Sequence, residues 1–394
     1  MIWNINFSNF KALDGRSFAL RHINIFSGYN GRGKSSVMQG ILMLTQSLRD
    51  TGSLAKLHLN GSQVMLGDYK ELLADLDNPD VAFEYLLDDQ LVQKVELKYG
   101  PTDDYMVGLI KALRVNDVDF FDTAGKAGDE IKDKRAVKEL LRPLPQSLYN
   151  QFANVHYISA DRIGPVRFVE RKEIPDFHSV GTRGDFTVNT ISTYSEMIPA
   201  VMNVRVDDKT EHSLKQCVTE WVDYIMDDGR VAIIGEEHET NSSVLSLGFA
   251  FKDNQRVYNS YNVGFGYSYI LSVVVATLIA KKGSTLMVEN PEAHLHPEAQ
   301  IRLTLLLSKL AERGVQVFIE THSEHIVNGF RINVLEDKCS LANDQLAIFF
   351  FDRDFSIKQL EVSPNGRIQN WPKHFFDQFE EEMVKILSLG ANKK

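Results

Sequence analysis

The residues best suited to chemistry form an eight-residue segment near the N-terminus, G-Y-N-G-R-G-K-S, at residues 28–35. This segment fills every fixed position of the phosphate-binding pattern G-x-x-x-x-G-K-[ST]. Its glycines let backbone N–H groups turn toward phosphate oxygens, and the start of a following helix adds partial positive charge. We expect Lys34 to reach the β- and γ-phosphates and the Ser35 hydroxyl to bind Mg²⁺. The segment therefore predicts a site for a nucleoside triphosphate.

The residues on either side of this loop have the patterns that the loop requires. Residues 22–26 (H-I-N-I-F) are typical of a short buried strand, and residues 36–48 have the spacing of a helix. Strand, glycine loop and helix in this order form the context in which the pattern binds phosphate. The alternative is a chance glycine turn before a helix.

A second apolar stretch, T-L-M-V-E-N-P-E at residues 285–292, ends in carboxylates. Mg²⁺ and an attacking water both need anionic oxygens beside the phosphates. Glu289 stands where an Asp usually holds the Mg²⁺ shell, and Asn290 stands where a Glu usually polarises water. Because an amide cannot accept a proton, we expect slow hydrolysis unless Glu292 takes that part. The alternative is a buried strand followed by two surface carboxylates.

Three histidines lie where a contact with phosphate, a metal ion or another subunit has to be considered. His322 follows the strand-like residues 315–320, where it can donate a hydrogen bond to a γ-phosphate and sense its loss. The alternative is a capped helix start with an incidental histidine. His294 and His296 precede Pro297 at a spacing that does not match ordinary zinc ligands, so we expect them at a subunit interface.

The segment Y-N-V-G-F-G-Y-S at residues 261–268 precedes a long apolar run. Its glycines and Ser268 can present N–H and O–H donors at a helix start, which would form a second anion site. When two subunits face each other, this site could hold the γ-phosphate bound by the partner's Lys34 loop, so that ATP joins a dimer. The alternative is a glycine turn that only starts a buried helix.

Composition excludes several other classes of protein. The chain has 394 residues, of which 43% are hydrophobic, and a formal net charge of −10, so a large core is expected and no general basic field points to nucleic acid. Its 2 cysteines predict neither a disulfide framework nor a thiolate zinc site, which fits a reducing cytoplasm. We expect no secretion signal, and the apolar run at residues 270–280 is too short to span a membrane.

The order of patterns along the chain predicts an α/β protein without a long coiled coil. We expect three parts: residues 1–80 with the phosphate loop, an inserted arm with a helical region at 81–244, and residues 245–394 with the remaining motifs. Strands are expected at 81–87, 91–99, 154–158, 245–257, 285–289, 315–320 and 346–351. Helices are expected at 130–142, over much of 185–239, and at 267–281, 297–313 and 371–387.

Taken together, these motifs resemble the ABC-type ATPase heads of the SMC, RecF and OLD-nuclease class. The chain is most similar to the stand-alone AAA family ATPases of bacterial anti-phage defence islands, including those of Septu-like systems that work beside an HNH nuclease. The resemblance covers both ends of the chain, and the middle only at residues 157–165. The segments that carry it are F-S-N-F-K (7–11), the phosphate loop, L-N-G (59–61), L-G-D-Y (66–69), N-V-G-F-G-Y-S (262–268), E-N-P-E-A-H-L-H-P (289–297), E-T-H-S (320–323), N-W-P (370–372) and F-F-D-Q (375–378).

The resemblance implies an ABC-type P-loop head with a mixed central sheet, and it implies roles for individual residues. Gly266 and Ser268 would act in trans on a partner's nucleotide, His322 would be the switch histidine, and Arg162 would lie beside the nucleotide or the interface. Gln63 is the candidate Mg²⁺ glutamine, while Gln46 is expected to pack on its helix. The residues expected to bind ATP and Mg²⁺ directly are Asn30, Gly31, Gly33, Lys34, Ser35 and Ser36.

Three functions follow from this sequence. The first is an ATP-dependent regulator that dimerises or assembles further and controls an HNH-type nuclease in phage defence. The second is a RecF-like repair ATPase acting on DNA, which would need a basic track that the composition does not favour. The third is a nuclease within this chain, for which the sequence shows no H-N-H pattern or further carboxylate cluster.

Overall fold

The computed structural model describes residues 1–122, 145–174, 179–199, 210–235, 244–251 and 254–391. The predicted helix at 130–142 lies outside these residues. The strands in the described part are β1 Ile2–Ser8, β2 Ser17–Ala19, β3 Ile23–Gly28, β4 Lys56–His58, β5 Val81–Leu87, β6 Lys94–Gly100, β7 Val107–Val115, β8 Val118–Asp122, β9 Val155–Ile158, β10 Phe168–Glu170, β11 Arg230–Gly235, β12 Val244–Phe251, β13 Asn254–Asn259, β14 Thr285–Glu289, β15 Gln316–Glu320, β16 Leu346–Phe351 and β17 Ile357–Leu360.

The helices flank these strands and are mostly amphipathic. The α-helices in the described part are α1 Lys34–Thr51, α2 Gln146–Ala153, α3 Thr187–Thr193, α4 Leu214–Met226, α5 Phe265–Ile279, α6 Pro297–Glu312, α7 Glu324–Asn333 and α8 Gln378–Ala391. Short 3₁₀ turns lie at Lys11–Leu13, Tyr69–Leu72, Ser260–Asn262 and Asn343–Gln345. In the described ranges, no helix combines the length and the apolar character needed to cross a bilayer.

A six-stranded sheet in the order β17-β16-β3-β15-β14-β9 forms the centre of the fold. All neighbouring strands in it are parallel except β17, which pairs antiparallel with β16. This confirms the predicted α/β class and mixed sheet. Because β15 lies between β3 and β14, the phosphate loop, Glu320 and Glu289 all emerge at the carboxyl edge of adjacent strands, where α/β sheets bind ligands.

Both faces of this sheet are buried, which explains why its strands have nearly continuous apolar sequences. Ile25 and Ile319 lie in one core together with Trp221 of α4. Phe26 and Phe318, the strand neighbours of those isoleucines, lie in the second core with α1. Successive side chains along each strand therefore point to opposite faces of the sheet, and a separate hydrophobic core packs on each face.

An antiparallel sheet in the order β2-β1-β5-β6-β7-β4, with β8 on β7, covers the α1 side. Phe7 of β1 is directly opposite Phe83 of β5, so strands from the predicted inserted arm share a sheet with the N-terminal strand. Asp80, just before β5, forms ion pairs with Lys98 and Lys111 on the two following strands. The predicted boundary at residue 80 thus falls between strands that pair with each other.

Three local expectations were wrong in part. The region 185–239 was expected to be largely helical and polar; in its described residues α4 buries an apolar face that includes Trp221, and the strand β11 follows it. The predicted helix at 371–387 begins only at residue 378, since Pro372 and the positive φ of His374 and Phe376 keep the preceding residues in turns. The predicted strand at 91–99 begins at Lys94.

Candidate nucleotide-binding site

The phosphate loop leaves β3 and enters α1 directly. Lys34 is 3% exposed, and its ammonium donates to the carbonyls of Gly28 (3.1 Å) and Tyr29 (2.8 Å). Burial lowers the pKa of Lys34, and the nearby Glu320 carboxylate partly opposes that shift. The lysine side chain therefore folds back over its own loop. Phosphate oxygens could replace the two carbonyls as acceptors of its hydrogen bonds.

Two glycines of the loop are required for different reasons. Gly28 has φ +124°, and a Cβ there would collide with the backbone oxygen of Phe351 on β16. Gly33 has φ +97° and is the N-cap of α1, so no side chain caps that helix. The N–H groups of the first turn, which contains Ser35 and Ser36, therefore have no partners within the helix and are open to an anion.

Glu320, at the end of β15, is the functional candidate that the sequence interpretation missed. It is 8% exposed and lies in register beside Glu289, near the Ser35 hydroxyl. Burial raises its pKa, helped by the charges of Glu289 and Glu292 and opposed by Ser35 and Lys34. The sequence did contain a signal for Glu320, because this carboxylate ends an apolar strand just before Thr321 and His322.

Glu289 occupies its predicted place at the end of β14, but both of its carboxylate oxygens are engaged. The Tyr157 hydroxyl donates to one oxygen (2.9 Å), and the backbone N–H of Ala160 donates to the other (3.1 Å). Burial raises the pKa of Tyr157 well above its ordinary value, with a further contribution from Glu289. Tyr157 therefore remains a neutral donor that holds Glu289 in place.

Arg162 lies beneath the turn formed by Glu289 and Asn290. Its guanidinium donates to the backbone carbonyls of Glu289 and Asn290 (2.8 Å for the latter), and also to that of Ser159 (3.2 Å). Arg162 is 3% exposed, and burial lowers its pKa to about 10. Asn290 itself has φ +43°, a left-handed conformation that Asn adopts more readily than most residues, and Arg162 binds the carbonyls on both sides of this position.

Glu292 and His322 meet at the same edge of the sheet. The backbone N–H of His322 donates to one oxygen of Glu292 (2.8 Å), while the other oxygen is buried without a partner among the described residues. The imidazole of His322 has a lowered pKa because of partial burial and the charge of Lys34. His322 is thus close to the phosphate loop and favours its neutral form.

Gly266 and Ser268 lie in the first turn of α5, where the sequence places a second anion site. A Cβ on Gly266 would approach the backbone oxygen of His294 to 2.7 Å, so close packing explains this glycine. The Ser268 hydroxyl is buried and has no partner in the described ranges. Phe265 and Tyr261 are largely exposed beside it, and no described hydrogen bond joins this helix start to the phosphate loop of the same chain.

Gln46, which was expected to pack on its helix, is fully buried but reaches away from that helix to the segment 58–64. Its carboxamide donates to the His58 carbonyl (2.6 Å) and accepts from the backbone N–H groups of Gln63 (3.3 Å) and Val64 (3.1 Å). Gln46 therefore shapes the loop that carries Gln63. The assignment of Gln63 as a Mg²⁺ ligand stays a prediction.

His294 and His296 have separate local contacts. His296 is the N-cap of α6, where its ring accepts a hydrogen bond from the Glu298 N–H (3.4 Å). The ring of His294 packs edge-on against Tyr269, with 4.5 Å between ring centroids. These contacts account for both side chains without a shared metal ion.

The residues gathered at this edge fit a nucleotide with its Mg²⁺. The first turn of α1 and Lys34 can hold phosphates, and the Ser35 hydroxyl lies near the Glu320 carboxylate, whose Oε2 is buried and has no partner among the described residues. A bound Mg²⁺ would neutralise charge on the phosphates and on this acidic cluster. Asn290 provides no carboxylate next to Glu289, so the usual residue for activating water is absent from that position.

Two family models match parts of the chain. A family model described as an AAA ATPase domain matches residues 188–327, and one described as a protein of unknown function (DUF3696) matches residues 341–386. The search of curated proteins found no match.

Among solved structures, SMC heads are similar over most of the chain, at low identity. A head bound to the C-winged helix domain of ScpA is 14% identical, with a TM-score of 0.49, covering 92% of this chain and 97% of the other. The SMC head domain from Thermotoga maritima is 10% identical, with a TM-score of 0.44 and coverages of 92% and 99%. The Smc head from Pyrococcus furiosus bound to the C-terminal domain of ScpA is 14% identical, with a TM-score of 0.47 and coverages of 99% and 99%.

The matched ATPase segment contains Ser268, Glu289, Asn290 and His322 but begins after the phosphate loop. The pairing of β3 with β15 brings that loop to the segment and completes the site. The chain therefore has an α/β fold with a mixed central sheet, and its residues 188–327 match the AAA ATPase domain model.

Proposed function

We propose that this protein binds ATP and hydrolyses it slowly, and that copies of the chain assemble around the bound nucleotide. The observation that carries the proposal is the meeting of Lys34, Ser35, Glu289 and His322 at one edge of the parallel sheet, with Asn290 where a carboxylate would activate water. Such a site can hold a triphosphate for long periods. A long-lived bound state suits a switch better than rapid turnover.

The start of α5 supports assembly through ATP. The Ser268 hydroxyl is buried without a partner among the described residues, at a helix start that favours anions. The exposed rings of Phe265 and Tyr261 beside it offer apolar area to a second surface. A γ-phosphate held by the Lys34 loop of a partner subunit would provide Ser268 with its missing partner.

Light scattering with and without ATP tests this assembly. We expect a larger species with ATP for the wild-type chain and no such shift for Lys34→Ala, which loses the phosphate contact. Ser268→Ala is the matched variant: it should bind a fluorescent ATP analogue like the wild type but fail to assemble. An ATP-dependent shift that persists in Lys34→Ala would contradict the proposal.

We further propose that the ATP-bound assembly regulates an effector nuclease of the HNH type in anti-phage defence. Support comes from the resemblance of the segments 262–268, 289–297 and 320–323 to defence ATPases, and from the net charge of −10, which does not favour direct action on DNA. Co-purification of an HNH nuclease with the tagged chain from its native host, together with loss of phage protection in Lys34→Ala, is the expected result. Tight DNA binding by the isolated ATPase would instead favour the RecF-like function.

A further inference from the structure

We propose that Glu320, rather than Glu289, is the carboxylate that binds the divalent cation beside Ser35. The inference rests on the proposed nucleotide site and assigns its metal ligand. From the position of the motif alone, Glu289 at the end of β14 would be expected to bind the cation. The neighbouring strand β15 supplies a second carboxylate at the same level, because Glu289 and Glu320 are paired in register.

The hydrogen bonds of Glu289 leave it poorly available. One of its oxygens accepts from the Tyr157 hydroxyl at 2.9 Å and the other accepts from the Ala160 N–H at 3.1 Å. Its backbone carbonyl accepts from Arg162. A metal ion bound directly by Glu289 would therefore have to share an oxygen with a donor that is already in place, whereas Glu320 Oε2 has no such donor among the described residues.

Glu320, in contrast to Glu289, has a carboxylate oxygen that is available to a cation. It is 8% exposed and lies near Ser35, the hydroxyl expected to bind Mg²⁺; burial raises the pKa of the Glu320 carboxyl, and Ser35 opposes that shift. Its Oε2 atom is buried and has no partner in the part of the chain that the structure describes. A buried carboxylate oxygen without a donor is unfavourable, and a hard divalent cation is a natural partner for it.

A purely structural ion pair with Lys34 does not account for Glu320. The Lys34 ammonium donates to two carbonyls of its own loop, at 2.8 and 3.1 Å. Glu289 and Glu292 add negative charge around Glu320, so the cluster has more carboxylates than nearby cations to balance them. The hydroxyl of Ser35, one unpartnered oxygen and an excess of negative charge together describe a cation site.

Binding of Mn²⁺, followed by electron paramagnetic resonance, tests the assignment with the full chain. Glu320→Gln and Glu289→Gln are matched variants, since each replaces one carboxylate by an amide of nearly the same shape. Mn²⁺ affinity is measured first without nucleotide and then with ADP. We expect Glu320→Gln to weaken Mn²⁺ binding about tenfold or more, and Glu289→Gln to change it about threefold or less.

Nucleotide affinity in EDTA provides an independent second measurement. Without a metal ion, removing the Glu320 charge reduces repulsion of the phosphates, so Glu320→Gln should bind a fluorescent ADP analogue at least as tightly as the wild type. With Mg²⁺ present, the wild type should gain affinity and the variant should gain much less. A mere folding defect would weaken binding under both conditions.

Ser35→Ala keeps the test decisive if Glu320→Gln does not fold, because it removes the second proposed ligand and should also weaken Mn²⁺ binding. Wild-type Mn²⁺ affinity in Glu320→Gln, or a loss in Glu289→Gln equal to that in Glu320→Gln, would overturn the assignment. Absence of any ADP or ATP binding by the wild type would instead refute the proposed function. The Mn²⁺ measurements without nucleotide would still show whether Glu320 binds the metal ion.

Discussion

Replacing Arg162 by Met should destabilise the fold through the turn at Glu289 and Asn290. The guanidinium donates to three backbone carbonyls, those of Ser159, Glu289 and Asn290. Hydrogen bonds from a charged donor contribute roughly 1.5–3 kcal/mol each. Burial opposes them, because lowering the pKa from 12.5 to about 10 corresponds to about 3 kcal/mol at ~1.4 kcal/mol per tenfold change. The expected net loss is about 3 kcal/mol in the free energy of unfolding.

Urea denaturation followed by tryptophan fluorescence measures this loss, since Trp221 is fully buried in α4. Arg183→Met is the matched control: Arg183 pairs with Asp161 at 3.1 Å, but its side chain is 52% exposed. An exposed pair contributes about 0–1 kcal/mol. A loss below about 1 kcal/mol for Arg162→Met, similar to that of the control, would refute the view that Arg162 supports the turn.

Three further outcomes are expected. Gly28→Ala should cost about 3 kcal/mol or more of stability, because its Cβ meets backbone, whereas Gly31→Ala, with open space around it, should cost only about 1 kcal/mol; thermal unfolding of the two variants compares them. The ion pairs of Asp80 hold its pKa below the ordinary value, so the stabilisation is present above about pH 4 and is lost as the pH falls through the lowered pKa. Asp80→Asn should therefore flatten the acid limb of the stability curve, and parallel curves would contradict this. Asn290→Glu should raise phosphate release from ATP in a coupled assay; an unchanged rate would point to Glu292 or to a site unable to hydrolyse.

Much of the fold could be predicted because the relevant signals are local in sequence. The residues of the phosphate loop are contiguous, so their backbone conformation and the start of α1 at Lys34 follow from glycine and helix-start preferences. Strands β14, β15 and β16 are buried on both faces and therefore appear as short apolar runs. The helix at 371–387 was misplaced at its start because an apolar spacing continued through turns that Pro372 and two left-handed residues impose.

The partners of the site residues could not be predicted in this way. Nothing near Glu289 in sequence identifies Tyr157 as its donor, since the parallel pairing of β9 with β14 brings them together from 132 residues apart. Glu320 likewise reaches Ser35 only because β15 lies between β3 and β14. Parallel strands are joined by long crossovers, so their order and register depend on contacts between distant segments.

The sequence by itself predicted the kind of ligand, because a phosphate loop is built from consecutive residues whose backbone conformations are local properties. Only the tertiary structure decided which carboxylate is available to a metal ion. Availability depends on the hydrogen bonds that Tyr157 and Ala160 donate to Glu289, and on the burial of one Glu320 oxygen. These quantities arise when strands from three parts of the chain meet at one edge of a sheet, and no local pattern of residues encodes them.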